Sequence, residues 1–102
     1  MFNPKYKEEI KNYILNSQSR INLWEYHWFN QDEFKQEVMS NWAAKEILKE
    51  VEANPDVSPI IIVEQFAERM DNYSLENTFV SFSFSVAKDT ADDILSILWN
   101  IK

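Results

Sequence analysis

The chain of 102 residues is predicted to fold as an all-α bundle of four or five helices, a single domain spanning 1–102. Three observations lead there. Apolar side chains recur at intervals of three and four along most of the sequence, the mark of helices with one buried face. Two helix starts are written in full, Asn3-Pro4 and Ser58-Pro59, each pairing a capping side chain with a proline at the first helical position. The one stretch that alternates like a strand has no partner elsewhere in the chain, and a lone strand leaves its backbone groups unpaired.

The first helix starts at Asn3-Pro4 and carries Tyr6, Ile10, Tyr13 and Ile14 on its buried face. The polar run Asn16-Ser17-Gln18-Ser19 is expected to end or bend it, Asn16 serving where glycine usually closes a helix. A short second helix, Arg20 to Phe29, then sets Ile21, Trp24 and Trp28 along one side. The third, from about Asp32 to Ala53, shows the stripe Phe34, Val38, Trp42, Ile47, Leu48 and Val51. Two prolines in Asn54-Pro55-Asp56-Val57-Ser58-Pro59 break the chain at a corner. Each half alone is too short for an independent core. Ser58 and Pro59 open the next helix, lined by Ile60, Val63, Phe66, Ala67 and Met70. The expected helix centres are thus near residues 10, 42 and 66. The expected core comprises Phe34, Val38, Trp42, Ile47, Val63, Phe66, Met70, Ile94 and Leu98.

Residues 79–87 admit two readings. Val80, Phe82, Phe84 and Val86 alternate with Ser81, Ser83 and Ser85, the period-two pattern of a half-buried strand. Phe79, Phe82, Val86, Ala87, Ala91, Ile94, Leu98 and Ile101 equally fit one long helix. The helix is preferred because the strand has no mate in the chain. The alternative is an α+β fold whose single strand, at about 79–87, pairs across a dimer.

Composition excludes several kinds of function. Glycine is absent, where average usage would give about seven. The phosphate-cradling loop, the dinucleotide fingerprint and the serine nucleophile elbow all require it. Cysteine is absent too, so there is neither a disulfide framework nor a thiolate metal site, which suits a reducing cytoplasm. The first residues lack the apolar run of a secretory signal, and the longest unbroken apolar run is Ile60 to Val63. A soluble, cytoplasmic protein is expected, without membrane association.

The net charge of −7 is unevenly spread: residues 1–20 balance at +2 and residues 21–102 at −9. Direct nucleic-acid binding needs clustered Lys and Arg, so it is not expected. A basic protein partner suits this surface, although acidity also serves solubility.

Two segments carry a family resemblance. Phe66-Ala67-Glu68-Arg69-Met70-Asp71-Asn72-Tyr73-Ser74 and Phe84-Ser85-Val86-Ala87-Lys88-Asp89-Thr90-Ala91-Asp92-Asp93-Ile94-Leu95 are similar to a pattern in small uncharacterised proteins of Firmicute bacteria, many carried by prophages and other mobile elements. The resemblance covers about residues 57–98 and leaves the aromatic first half uncovered. It implies a setting, an accessory protein of a mobile element or its host, and transfers no site residues.

The densest unusual feature is Trp24-Glu25-Tyr26-His27-Trp28-Phe29. Successive helical residues turn by about 100°, so this run cannot all face one core. Trp24, Tyr26, Trp28 and Phe29 are therefore candidates for an interface, with a second buried layer as the structural alternative. His27, the only histidine, has no companion at metal-ligand spacing. No metal site and no cofactor is expected. Asp89, Asp92 and Asp93 form an acidic surface beside Lys88, without the alternating oxygens or glycine of a calcium loop. Asp71 and Tyr73 are read as structural, ending the helix or hydrogen-bonding across the corner to the last segment. Ser81, Ser83 and Ser85 have no activating His or Lys motif and read as a polar face. The expectation is a non-enzymatic protein–protein interaction module, in its sharper form one that binds or inhibits a basic, nucleic-acid-handling host protein. A homodimeric structural or adaptor protein and a metal-assisted hydrolase using acidic residues are the alternatives.

Overall fold

The computed structural model describes residues 2–24, 31–76 and 81–101. Within them are four helices and no strand: α1 (Pro4–Trp24), α2 (Gln31–Ala53), α3 (Pro59–Glu76) and α4 (Ser81–Trp99). The helix centres expected near residues 10, 42 and 66 fall inside the first three. The described part of 79–87 is helical, so the α+β alternative is set aside.

Both helices start where expected, but only Asn3 caps through its side chain; at Ser58, among the described residues, the backbone carbonyl alone takes part. Asn3 Oδ1 accepts the Lys5 amide at 2.9 Å and its carbonyl accepts the Tyr6 amide at 3.1 Å, with Pro4 at the first helical position. Pro59 opens α3, and the Ser58 carbonyl accepts the Ile62 amide at 3.1 Å. Without glycine, α2 and α4 end on asparagine. Asn54 Nδ2 donates to the Glu50 carbonyl at 2.8 Å, and Asn100 Nδ2 donates to the Ser96 carbonyl at 2.9 Å. The Asn100 amide satisfies a carbonyl that the helix end leaves open, because its own backbone N–H turns to Ile97, whereas the Asn54 amide adds a second bond to a carbonyl that already accepts the Asn54 backbone N–H at 3.1 Å. No described residue has a positive φ, so these ends use no left-handed residue.

One boundary differs from expectation. Residues 16–19 do not end a helix; α1 continues to Trp24 and takes in the start of the expected second helix. The reason lies in Ser17, which is fully buried. Its hydroxyl donates to the Ile14 carbonyl at 2.9 Å and accepts from Asn41 Nδ2 on α2 at 2.9 Å. The same amide nitrogen donates to the Ile14 carbonyl at 3.3 Å. A polar stretch that reads as a terminus is instead a polar tie between two helices. Lys7–Glu52 and Arg20–Glu37 run in the same sense as Ser17–Asn41, so α1 and α2 are antiparallel.

The core joins all four helices through Ile10, Ala43, Ala44, Ile47, Val51, Ile62, Val63, Phe66, Ala67, Met70, Ala87, Ala91, Ile94 and Leu98. The most extensive pairing is between α3 and α4, then α1 with α2, then α2 with α4; α2 and α3 touch sparingly. Ile47, Val63, Phe66, Met70, Ile94 and Leu98 are buried as expected. Phe34 is only half-buried, and Val38 and Trp42 are 40% and 39% exposed. The stripe Phe34–Val38–Trp42 steps by four, and at 3.6 residues per turn such a row drifts around the helix. The inward arc of α2 is instead Asn41, Ala43, Ala44, Ile47 and Val51. Small residues at 43, 44, 87 and 91 let the helices approach closely, which large apolar residues alone did not signal.

Candidate functional site

A groove of about 410 Å³ lies between α2 and α4, lined by Glu33, Gln36, Glu37, Ser40, Val86, Asp89, Thr90 and Asp93. Helical spacing assembles it. Glu33 and Glu37 are four apart on α2, and Asp89 and Asp93 are four apart on α4, so each pair stacks on one face. The floor is held by Thr90, buried at 2% exposure, whose hydroxyl donates to the Val86 carbonyl at 2.9 Å. The Thr90 and Ser40 hydroxyls lie 2.9 Å apart in a hydrogen bond that ties α4 to α2.

The electrostatics follow from this packing. Asp93 is held above the usual carboxylate value of 3.8, first by partial burial and then by the charges of Asp89 and Asp92. The Tyr13 phenol from α1 is pushed above 10.0, first by burial and then by the Asp93 charge, with its hydrogen bond to the Thr90 side chain opposing the rise. Arg20 Nε donates to Glu37 Oε1 at 2.9 Å, so one guanidinium of the chain already sits on an edge of the site. The other oxygen, Glu37 Oε2, is shielded from solvent and has no hydrogen-bond partner among the described residues. The site is thus an acceptor-rich concavity with two hydroxyls at its base.

The three aspartates of the expected acidic surface separate. Asp89 and Asp93 face the groove, whereas Asp92 is drawn to Lys88 at 2.9 Å along α4. That bond and the Asp92 charge hold Lys88 above its usual 10.5. Glu33 and Glu37 were not singled out from the sequence. The available signal was two like-charge pairs at a spacing of four, which is unfavourable in an isolated helix. Glu46 and Glu50 show the same spacing, and there Lys49 and Arg69 neutralise them, so the signal alone does not select the groove.

Of the aromatic candidates, Trp24 is the last residue of α1. Tyr26, Trp28 and Phe29 lie outside the described residues, as does His27. Tyr73 reaches the last segment by its ring, 5.3 Å from that of Phe84, while α3 runs on to Glu76. Among the described residues no three His, Cys, Asp or Glu side chains converge to hold a metal ion. No helix among them is long and apolar enough to cross a membrane. Comparison of the chain with protein-family models, curated proteins and solved structures found no match to any.

Proposed function

We propose that the chain is a non-enzymatic protein-interaction module whose groove between α2 and α4 receives a basic segment of a partner protein. The supporting observation is the convergence of Glu33, Glu37, Asp89 and Asp93 on one concavity. Lys and Arg are the side chains whose charge and donors match such a site, Arg by forked bonds to paired oxygens. Asp93 is raised first by burial and then by the neighbouring Asp89 and Asp92 charges, and an entering cation offsets both penalties.

The sharper form draws on the resemblance of residues 57–98 and on the acidic balance. It makes the chain a cytoplasmic accessory protein of a prophage or other mobile element, acting on a basic, nucleic-acid-handling host protein. The carboxylates then occupy the place of phosphates on that partner, and the chain itself does not bind nucleic acid.

The test is titration of the full chain with a fluorescent Arg-rich peptide, repeated from low to high salt. Affinity should fall steeply as the Debye length shrinks from about 10 Å at 0.1 M to about 3 Å at 1 M. The triple variant Glu33→Gln, Asp89→Asn, Asp93→Asn should bind about tenfold more weakly, roughly 1.4 kcal/mol. Binding that is indifferent to salt or to these substitutions would place the contact elsewhere.

A further inference from the structure

Helix α2 carries a second face of opposite character. Residues 35, 38, 42, 45 and 49 are spaced alternately three and four, so they form one stripe. All five are exposed: Lys35, Val38, Trp42, Lys45 and Lys49. The groove residues Glu33, Gln36, Glu37 and Ser40 point about half a turn away on the same helix. The stripe holds three lysines and no carboxylate in a chain of net charge −7. Its flanks are built: α1 takes Asn41, and α3 meets Trp42 through Phe66, with ring centroids 6.4 Å apart. Phe66 in turn lies under the Arg69 guanidinium, 5.6 Å from the ring centre. Trp42 is therefore a braced aromatic platform among cations, open on its outer side.

We propose that this stripe docks an acidic amphipathic helix of another protein. Apolar residues of that helix pack on Val38 and Trp42, and its carboxylates meet Lys35, Lys45 and Lys49. Alternate steps of three and four are the spacing by which two helices share a seam. From 35 to 49 the stripe runs about 21 Å, some four turns, at 1.5 Å per residue. Charge complementarity sets the sign of the partner. At physiological salt the Debye length is about 8 Å, below the helix diameter of about 10–12 Å, so the acids behind α2 are largely screened from this face. Lys49 already touches Glu46 at 3.1 Å, but that exposed pair is weak and easily exchanged. Three lysines along the stripe are sparse for nucleic acid, which presents a duplex charge about every 1.7 Å. The surface is independent of the groove and fails or stands separately from it.

The probe is a labelled synthetic helix of about 21 residues with Leu at alternate spacings of three and four and Glu flanking them, titrated into the isotopically labelled full chain. Saturable binding with Kd below about 100 µM is expected, with amide shifts concentrated on residues 35–49 and the adjoining part of α3. Lys35→Glu with Lys45→Glu should weaken it at least about tenfold. Both side chains are exposed, so an unchanged melting temperature verifies that this variant folds. The groove triple variant, Glu33→Gln, Asp89→Asn and Asp93→Asn, should leave this affinity unchanged. Absence of saturable binding, equal binding of a scrambled peptide of the same composition, or shifts centred on the groove would overturn the proposal. Tighter binding of a single-stranded oligonucleotide, lost in the same lysine variant, would overturn it in favour of nucleic acid.

Discussion

Replacing Asn41 with alanine tests the polar tie between α1 and α2. Asn41 is 6% exposed, and its Nδ2 donates both to Ser17 Oγ at 2.9 Å and to the Ile14 carbonyl at 3.3 Å. Alanine removes both bonds. Ser17 keeps its own bond to Ile14, so neither partner is stripped of all contacts. Two net hydrogen bonds at about 1 kcal/mol each, with a small cavity where the amide stood, give about 2–3 kcal/mol of lost stability. In a domain of this size that lowers Tm by about 10–20 °C. Thermal and urea unfolding followed by circular dichroism measure it. The double variant with Ser17→Ala should show a coupling of about 1 kcal/mol, because the two side chains share one bond. A change in stability below about 0.5 kcal/mol for Asn41→Ala, the range of ordinary surface substitutions, would refute the account of why α1 continues through its polar run.

Further outcomes follow from burial and charge. Phe66→Ala should destabilise by about 3–5 kcal/mol in denaturant melts, while Trp42→Ala, 39% exposed, should cost about half as much or less. Equal losses would show that Trp42 is core after all. Asp93→Asn should raise Tm at pH 7. A carboxylate whose folded value lies above its unfolded value destabilises while ionised, and that penalty fades as pH falls through the raised value toward 3.8. The gain of the variant over the parent should therefore shrink in acid, and a gain that is constant from pH 7 to pH 3.5 counts against a charge origin. Asn54→Ala should cost no more than about 0.5 kcal/mol, because the Glu50 carbonyl keeps the backbone amide of residue 54 at 3.1 Å, readable as a nearly unchanged urea midpoint.

Helix positions were legible because periodicity and capping are local. Asn3-Pro4 and Ser58-Pro59 mark starts that the structure uses, and Ile94 and Leu98 fall where the period of 3.6 puts them. What was illegible depends on neighbours distant in sequence. Ser17 reads as a breaker until Asn41, 24 residues away, supplies its partner. Trp42 reads as core by size, yet the closest approach of helices takes Ala43 and Ala44. Asp89, Asp92 and Asp93 form one cluster in sequence, but helical rotation gives two to the groove and one to Lys88. Glu33 and Glu37 join them only through the packing of α2 on α4.

The asparagine-ended helices carry a consequence for how this sequence can vary. No described residue needs the left-handed backbone region, in which any side chain with a Cβ costs about 1–2 kcal/mol. Mutational tolerance is therefore not gated by backbone handedness at any described position. In a saturation library selected for folding, intolerant sites should follow side-chain burial, with backbone-specific losses added by proline and, at about 1 kcal/mol, by glycine within the helices. The corner at 54–58, where most folds depend on one irreplaceable residue, should accept nearly every alternative at Pro55, Asp56 and Val57, all of them exposed. The sequence is free to drift through the corner between α2 and α3 while the packed faces stay fixed.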